Sequence, residues 1–293
     1  MRITHRQFMA ETEATDDLKA RVEQIGRDAG ANRVACCMFD YHTRQWWDYQ
    51  GDEWFHAAST IKVPILVGVF GAIHRGHLAR ESRVHVRNRF LSVANGRPFR
   101  VEGSRDANSV VPQHLGRTLK VDELCFHMIV TSSNLATNLL VDLVGLDDLR
   151  ASVRELEIDG VELERGVEDN DAFDAGISNR VTARGMVKTL RHIEEGTAFS
   201  VEASARMLEI MHEQEFRSGI PAGVPDGAKV ANKTGEISTV AHDAAIVYLP
   251  GRKPYAITVL TEWEPGSSGR HDTIARISRA VYNHLSEAGR KDA

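Results

Sequence analysis

The sequence predicts an α+β fold, an antiparallel sheet flanked by helices with an all-helical block inserted into it. Three observations carry this expectation. Strand-like segments stand near both ends of the chain, around residues 33–49 and 228–262. The stretch between them is dominated by helical spacing, and a helix-forming segment lies outside the strands at each end. The economical solution lets residues 1–58 and 225–293 build one sheet part, with residues 59–224 as the mostly helical part.

Thr15-Asp16-Asp17 makes a helix N-cap, Leu18, Val22 and Ile25 follow at helical spacing, and Gly30 ends the run. Two strands follow, Arg33 to Tyr41 and Gln45 to Tyr49, joined by a short polar turn. A helix is expected from about Ser59 to Gly71. Pro64 fits only its first turn, which puts Ser59 at the helix entrance.

Further helices are expected at Asp122–Thr131, Leu135–Val144, Leu146–Leu156, Ala183–Glu195 and Val201–Glu213. One stretch departs from them. Val84–Arg87 and Arg97–Val101 alternate around Ala94-Asn95-Gly96 and read as a hairpin. Arg80, Arg83, Arg87, Arg89, Arg97, Arg100 and Arg105 make this segment locally basic, read as a solvated protrusion with a substrate-recruiting patch as the alternative. Strands return at Ala228–Lys233, Ala241–Leu249 and Tyr255–Glu262, with a turn at Gly251-Arg252-Lys253, before a last helix from about His271 to Leu285.

Composition narrows the function. Lys and Arg number 36 against 41 Asp and Glu, a formal charge of −5. That balance argues against a dedicated nucleic-acid or anionic-membrane binder, which concentrates basic residues. The longest nearly apolar run, Val63 to Ile73, is too short to cross a bilayer. The first residues, MRITHRQFMAETEATDD, lack the apolar region of a secretory signal. A cytoplasmic protein is expected from the sequence as written, or a periplasmic or secreted one if a leader has been removed. Cys36 and Cys37 are adjacent on a strand and point to opposite faces, and Cys125 stands alone in a helix. These are expected as buried free thiols rather than disulfides.

The chemistry begins at Ser59-Thr60-Ile61-Lys62. A serine at a helix entrance sits near unpaired backbone N–H groups, and a lysine three residues on shares its face. That lysine accepts the hydroxyl proton if burial and neighbouring charge keep it partly neutral. Alone the spacing is weak. Ser132-Ser133-Asn134 adds a polar triplet at a break between two helices, which by itself reads as a cap. Lys233-Thr234-Gly235 adds a lysine on a core strand, otherwise explained as a strand-end residue snorkelling to solvent. Their order and separations together are hard to obtain by chance.

The trio resembles the motifs of the penicillin-recognising serine hydrolases, and most closely those of the class A β-lactamases. Thr131 to Leu140, with a second asparagine at Asn138, is similar to that family's S-D-N helix. Asn179-Arg180-Val181-Thr182-Ala183 followed by Met186 is similar to the end of its Ω-loop, placed here near 163–182. The resemblance spans Asp16 to Leu285. It implies a β-lactamase/transpeptidase-like fold and a class A-like serine β-lactamase.

Carried over residue by residue, the resemblance makes Ser59 the acylated nucleophile and Lys62 its proton acceptor. Ser132 passes a proton to the leaving nitrogen, and Asn134 binds the substrate's amide side chain. Lys233 and Thr234, with Gly235, hold its carboxylate, Lys233 adds positive field near Ser132 as a catalytic residue, and the N–H groups of Ser59 and Glu236 form the oxyanion hole.

Three departures stand out. The family's central S-D-N aspartate is Ser133 here. The Ω-loop lacks the family's E-x-E-L-N context. Glu168 is the first choice for the water-activating acid, Asp169 the second and Glu164 the third, with the alternative that all are a solvated loop. Arg165 would pair with an acid near the end of the loop, yet that position holds Asn179. The segment between Ser59 and Ser132 is also long for the family and contains the basic hairpin.

The expected partner is a small β-lactam or related amide, with no nucleic acid, no membrane, no cofactor and a monomeric chain. His74 and His77 read as surface or capping residues rather than metal ligands, and His242 as a satisfied strand histidine or a residue facing the cleft. The alternative enzyme is a D-alanyl-D-alanine peptidase-like protein, or another amidase or esterase, with the same Ser-Lys-Ser site. A binding protein that has lost turnover is a third possibility.

Overall fold

The computed structural model describes residues 5–104 and 106–291, with the side chains of residues 5–15 and 288–291 excepted. The N-terminal residues 1–4 and Arg105 of the basic segment therefore lie outside the described residues. Helix α1 (His5–Ala29) leads into strands β1 (Arg33–Asp40) and β2 (Gln45–Tyr49), followed by the short β3 (Phe55–His56). A 3₁₀ turn at Ala58–Ile61 passes directly into α2 (Lys62–His74). Between α2 and the next long helix lie β4 (Arg83–His85), β5 (Phe90–Leu91), β6 (Pro98–Phe99), α3 (Val110–Gln113) and β7 (Thr118–Lys120).

Helices α4 (Val121–Val130), α5 (Asn134–Val144) and α6 (Leu146–Glu155) follow. The Ω-loop region carries β8 (Val161–Glu162), α7 (Asn170–Asp174) and β9 (Arg180–Val181). Helices α8 (Ala183–Glu194) and α9 (Val201–His212) precede β10 (Lys229–Ile237), β11 (Val240–Tyr248), β12 (Tyr255–Glu262) and α10 (Arg270–Lys291).

The two ends of the chain meet in one antiparallel sheet of order β10-β11-β12-β1-β2, with Cys36 opposite Val259 and Lys233 opposite Ala244. Alternation along β1 explains its apolar run. Ala35, Cys37 and Phe39 enter the core shared with α2, α4, α5 and α8, while Cys36 and Met38 enter the core under α1 and α10. All three cysteines are buried free thiols, as expected. Every residue of α2 from Lys62 to Ala72 is buried, the mark of a helix surrounded by its own protein. Among the described residues no helix is long and apolar enough to cross a membrane.

Element types follow the sequence closely, and the ends differ for local reasons. Helix α1 starts upstream of Thr15-Asp16-Asp17, because no Gly or Pro interrupts residues 5–14 ahead of it and a capping residue by itself does not stop a helix. Ser59 sits on the 3₁₀ turn, and α2 continues past Gly71 to His74. The stop is Gly76 in the left-handed region, φ 75°. The predicted hairpin is corrected. Val84 pairs with Leu119, and the hairpin is the smaller β5–β6 unit, Phe90 opposite Phe99. Of its arginines, Arg80 pairs with Asp122 and Arg87 with Asp142.

Candidate active site

Gly235 explains how the strand bearing K-T-G reaches the serine. A Cβ there would lie 2.8 Å from the Thr60 nitrogen and 3.0 Å from that of Ser59, so only glycine lets β10 lie against the serine's turn. The turn is braced from below. His56 Nδ1 accepts from the Ala58 N–H (3.0 Å), and the His56 carbonyl accepts from His242 Nε2 (2.8 Å). Burial lowers both imidazoles to about 4, so both are neutral. His242 is fully buried and is the satisfied strand histidine, not a residue of the cleft.

Lys62, Ser132 and Lys233 converge. Lys62 Nζ donates to the Ser132 carbonyl (2.7 Å) and to Asn134 Oδ1 (2.7 Å), and lies 3.0 Å from Ser132 Oγ. Lys233 Nζ lies 3.0 Å from the same hydroxyl and donates to the Thr234 carbonyl (2.7 Å). Both lysines are completely buried, so the snorkelling alternative for Lys233 is overturned. It shares the face of Ala231, which packs into the helix-side core. Burial pulls Lys62 down to about 7, against the opposite pull of Asp106 and Glu168. Lys233 is lowered well below its ordinary value, first by burial and then by the charge of Lys62.

The backbone stores strain here. Ala58, Ser132 and Glu168 have φ of 44°, 58° and 60°, left-handed values that cost a non-glycine residue about 1–3 kcal/mol each. One cavity of about 360 Å³ is lined by Ser59, Ser132, Asn134, Thr234 and Glu236 among others. A second, of about 230 Å³, shares Ser59, Asn134 and Glu236 and reaches Arg165, Glu168 and Phe173 under the Ω-loop. A larger depression of about 610 Å³ beside Arg217 and Lys229 holds none of the predicted residues.

The three Ω-loop acids separate cleanly. Asp169 is 1% exposed, caps α7 through Ala172 N–H (3.1 Å) and accepts from Val93 N–H (2.9 Å). Glu164 pairs with Arg150 (2.7 Å), away from the cleft. Glu168 alone of the three lines a cavity with Ser59. Its Oε1 accepts from Asn134 Nδ2 (2.6 Å) and its Oε2 from Glu102 N–H (3.0 Å).

Among the described residues no acid forms an ion pair with Arg165 at the loop's end. Asn179 closes the neck instead, accepting from the Glu164 and Arg165 N–H groups and donating to the Arg165 carbonyl. The Arg165 guanidinium bonds the Ile177 and Gly166 carbonyls. Asn138 clamps Val167 at both its N–H and its carbonyl (2.8 Å each). The side chain of Glu236 is held by Arg270 and by His271 Nε2.

Residues that no motif announces complete the site. His56 braces the turn, Asp106 bonds Ser133, and Phe216, Ser218 and His271 line the larger of the two site cavities. His56 lies three residues before Ser59 and is the only one with a positional hint.

An antiparallel sheet flanked by helices, with two buried lysines meeting on the Ser132 hydroxyl at a cavity that Ser59 also lines, fits a serine hydrolase of the class A β-lactamase type. The chain belongs to the β-lactamase enzyme family, whose profile matches residues 16–285. Beta-lactamase CARB-4 of Pseudomonas aeruginosa is 21% identical to it over 286 residues, 92% of this chain and 93% of that one. Among solved structures, PBP-A is 25% identical with a TM-score of 0.79, covering 92% of this chain and 96% of its own. An ancestral class A β-lactamase is also 25% identical, with a TM-score of 0.78 and coverage of 91% and 99%.

Proposed function

We propose that the protein is a serine β-lactamase that opens the lactam amide through an acyl-enzyme on Ser59. The observation that carries this reading is the Ser132 hydroxyl, 3.0 Å from both Lys62 and Lys233 at the wall of the cavity that Ser59 lines. With the sheet part taken as 1–58 and 225–293, the site lies at its seam with the helical part, Ser59 opening one and Lys233 belonging to the other.

An incoming substrate carboxylate favours the charged form of Lys233, and that charge keeps Lys62 neutral. Lys62 then takes the Ser59 proton as the oxygen attacks the lactam carbonyl carbon. The N–H groups of Ser59 and Glu236 receive the oxyanion. Lys62 returns the proton through Ser132 to the lactam nitrogen as the C–N bond breaks, which leaves the ester on Ser59. Thr234 and Gly235 sit beside Lys233 at the carboxylate end, and Asn134 faces the amide side chain. In the second half, Glu168 takes a proton from water as its oxygen attacks the ester carbonyl; the acyl C–O bond to Ser59 then breaks, the proton passes from Glu168 to the Ser59 oxygen, and the opened product leaves.

One observation favours a second reading, slow release by a peptidase-like enzyme. Both Glu168 oxygens are already engaged, by Asn134 and by the Glu102 N–H, which ties up part of the carboxylate that water must reach. Turnover of a chromogenic cephalosporin tests the first reading: sustained hydrolysis that Ser59→Ala removes supports it. A single burst without turnover supports the second.

A further inference from the structure

Asp106 belongs to no motif and lies on the segment inserted between Ser59 and Ser132, yet its carboxylate reaches the centre of the Ser132-Ser133-Asn134 turn. Its Oδ2 accepts from Ser133 Oγ (3.0 Å) and from the Leu135 N–H (2.9 Å), and its Oδ1 accepts from the Asn108 N–H (3.0 Å). Asn108 grips the other side of the turn. Its Nδ2 donates to Thr131 Oγ1 (2.7 Å) and lies 3.1 Å from His127 Nδ1, while its Oδ1 accepts from the Val111 N–H (2.8 Å).

Ser133 is the N-cap of α5, and its Oγ accepts from the Ala136 N–H (3.1 Å). A single capping carboxylate can take the N–H groups two and three residues on. Here the two are divided, Ala136 to Ser133 and Leu135 to Asp106. The acidic group missing from position 133 is supplied from another loop.

The brace matters because Ser132 is held at φ 58°. A side chain in that region persists only where its surroundings fix it, and this conformation carries the hydroxyl that meets Lys62 and Lys233. The geometry points to Asp106 as the positioning residue of the site, a carboxylate from the inserted segment that locks Ser132 in place and stands in for the acid absent at 133. This rests on the reading of Ser132 as the proton relay. The same carboxylate acts on Lys62, whose charged neighbours are Asp106, Glu168 and Lys233.

The test compares Asp106→Ala, Asp106→Asn, Asp106→Ser and the exchange Asp106→Ser with Ser133→Asp. The rate of Ser59 labelling by a fluorophosphonate, and separately by benzylpenicillin, is followed by intact mass, with the melting temperature measured alongside. Asp106→Ala is expected to slow both reactions about tenfold or more, since small displacements of a reacting group cost that much. Asp106→Asn falls between, because its amide oxygen accepts one N–H without the charge. The exchange recovers the rate to within about threefold of the original, since an aspartate at the N-cap takes both N–H groups.

A fluorophosphonate rate unchanged in Asp106→Ala, or an exchange no better than Asp106→Ser alone, overturns the assignment. If Asp106→Ala fails to fold, Asp106→Asn and the exchange decide it. If penicillin leaves the unmodified protein unlabelled while the fluorophosphonate labels it in the Asp106-dependent way, the β-lactamase reading fails and the positioning role stands. A protein that neither reagent labels overturns both.

Discussion

Lys62 and Lys233 meet on one hydroxyl, each with its Nζ 3.0 Å from Ser132 Oγ. Two fully buried ammonium groups this close cannot both hold a proton cheaply, because burial and mutual repulsion push in the same direction. The charge of Lys62 therefore adds to burial in favouring the neutral form of Lys233, and a proton on one lysine disfavours a proton on the other.

The pH dependence of acylation follows from Lys62. Its folded value is lowered to about 7, so below that pH it holds a proton and cannot accept the one from Ser59. The rate of acylation by benzylpenicillin is expected to fall as pH drops through 7, approaching about tenfold per unit. Lys62→Arg, which stays protonated, removes the reaction at every pH. A rate flat from pH 8 down to about 5 contradicts the role of Lys62.

Release of the acyl group isolates Glu168. Glu168→Gln keeps an oxygen for the Asn134 or Glu102 donor but cannot take a proton from water. Deacylation is expected to slow about a hundredfold or more, with acylation changed far less. Acyl-enzyme lifetime after a single exposure to penicillin reads this directly, and an unchanged lifetime removes Glu168 from the mechanism.

Gly235→Ala tests the close approach of β10 to the serine's turn. The new Cβ meets backbone nitrogens at 2.8 and 3.0 Å, which cannot swing aside as a flexible side chain would. A loss of about 1–3 kcal/mol in stability and of most Ser59 reactivity is expected, from the denaturation midpoint and the labelling rate. A variant with native stability and reactivity would show that the turn gives way freely.

Much of this site was legible because its chemistry is local in sequence. Ser59 and Lys62 lie one turn apart, and Ser132, Asn134, Lys233 and Thr234 belong to short motifs in a fixed order. Helices such as α5 and α8 were readable within a residue or so at each end because apolar spacing and caps coincide. Asp106 was not legible, because its partners are Ser133 and Leu135 on another segment and no periodicity marks a loop carboxylate. The pairing of Val84 with Leu119 was missed for the same reason, since strands of two or three residues carry too little alternation to fix a register. Asn179 closes the Ω-loop through backbone groups, a role that a search for opposite charges does not find.

The buried histidines set an acid limit on stability. His242 and His56 are lowered to about 4 from an ordinary value of 6.5, so the folded state resists protonation that the unfolded chain accepts. Their contribution is fully present above pH 6.5 and is lost as pH falls towards 4. Asp243, raised to about 6 by burial, works in the opposite sense, so the comparison between variants is the readout. His242→Gln is expected to lower the melting temperature at pH 7.5 while losing less than the original protein between pH 7.5 and 5. A variant with the same acid sensitivity would show that His242 is not the group responsible.

If Ser59 carries an acyl group that the same site hydrolyses, intact mass followed over time with benzylpenicillin records both halves of the reaction. A transient increase equal to the whole drug, absent in Ser59→Ala and decaying as hydrolysed penicillin accumulates, is the result expected. A protein that shows no adduct at any time and leaves the penicillin intact would contradict it.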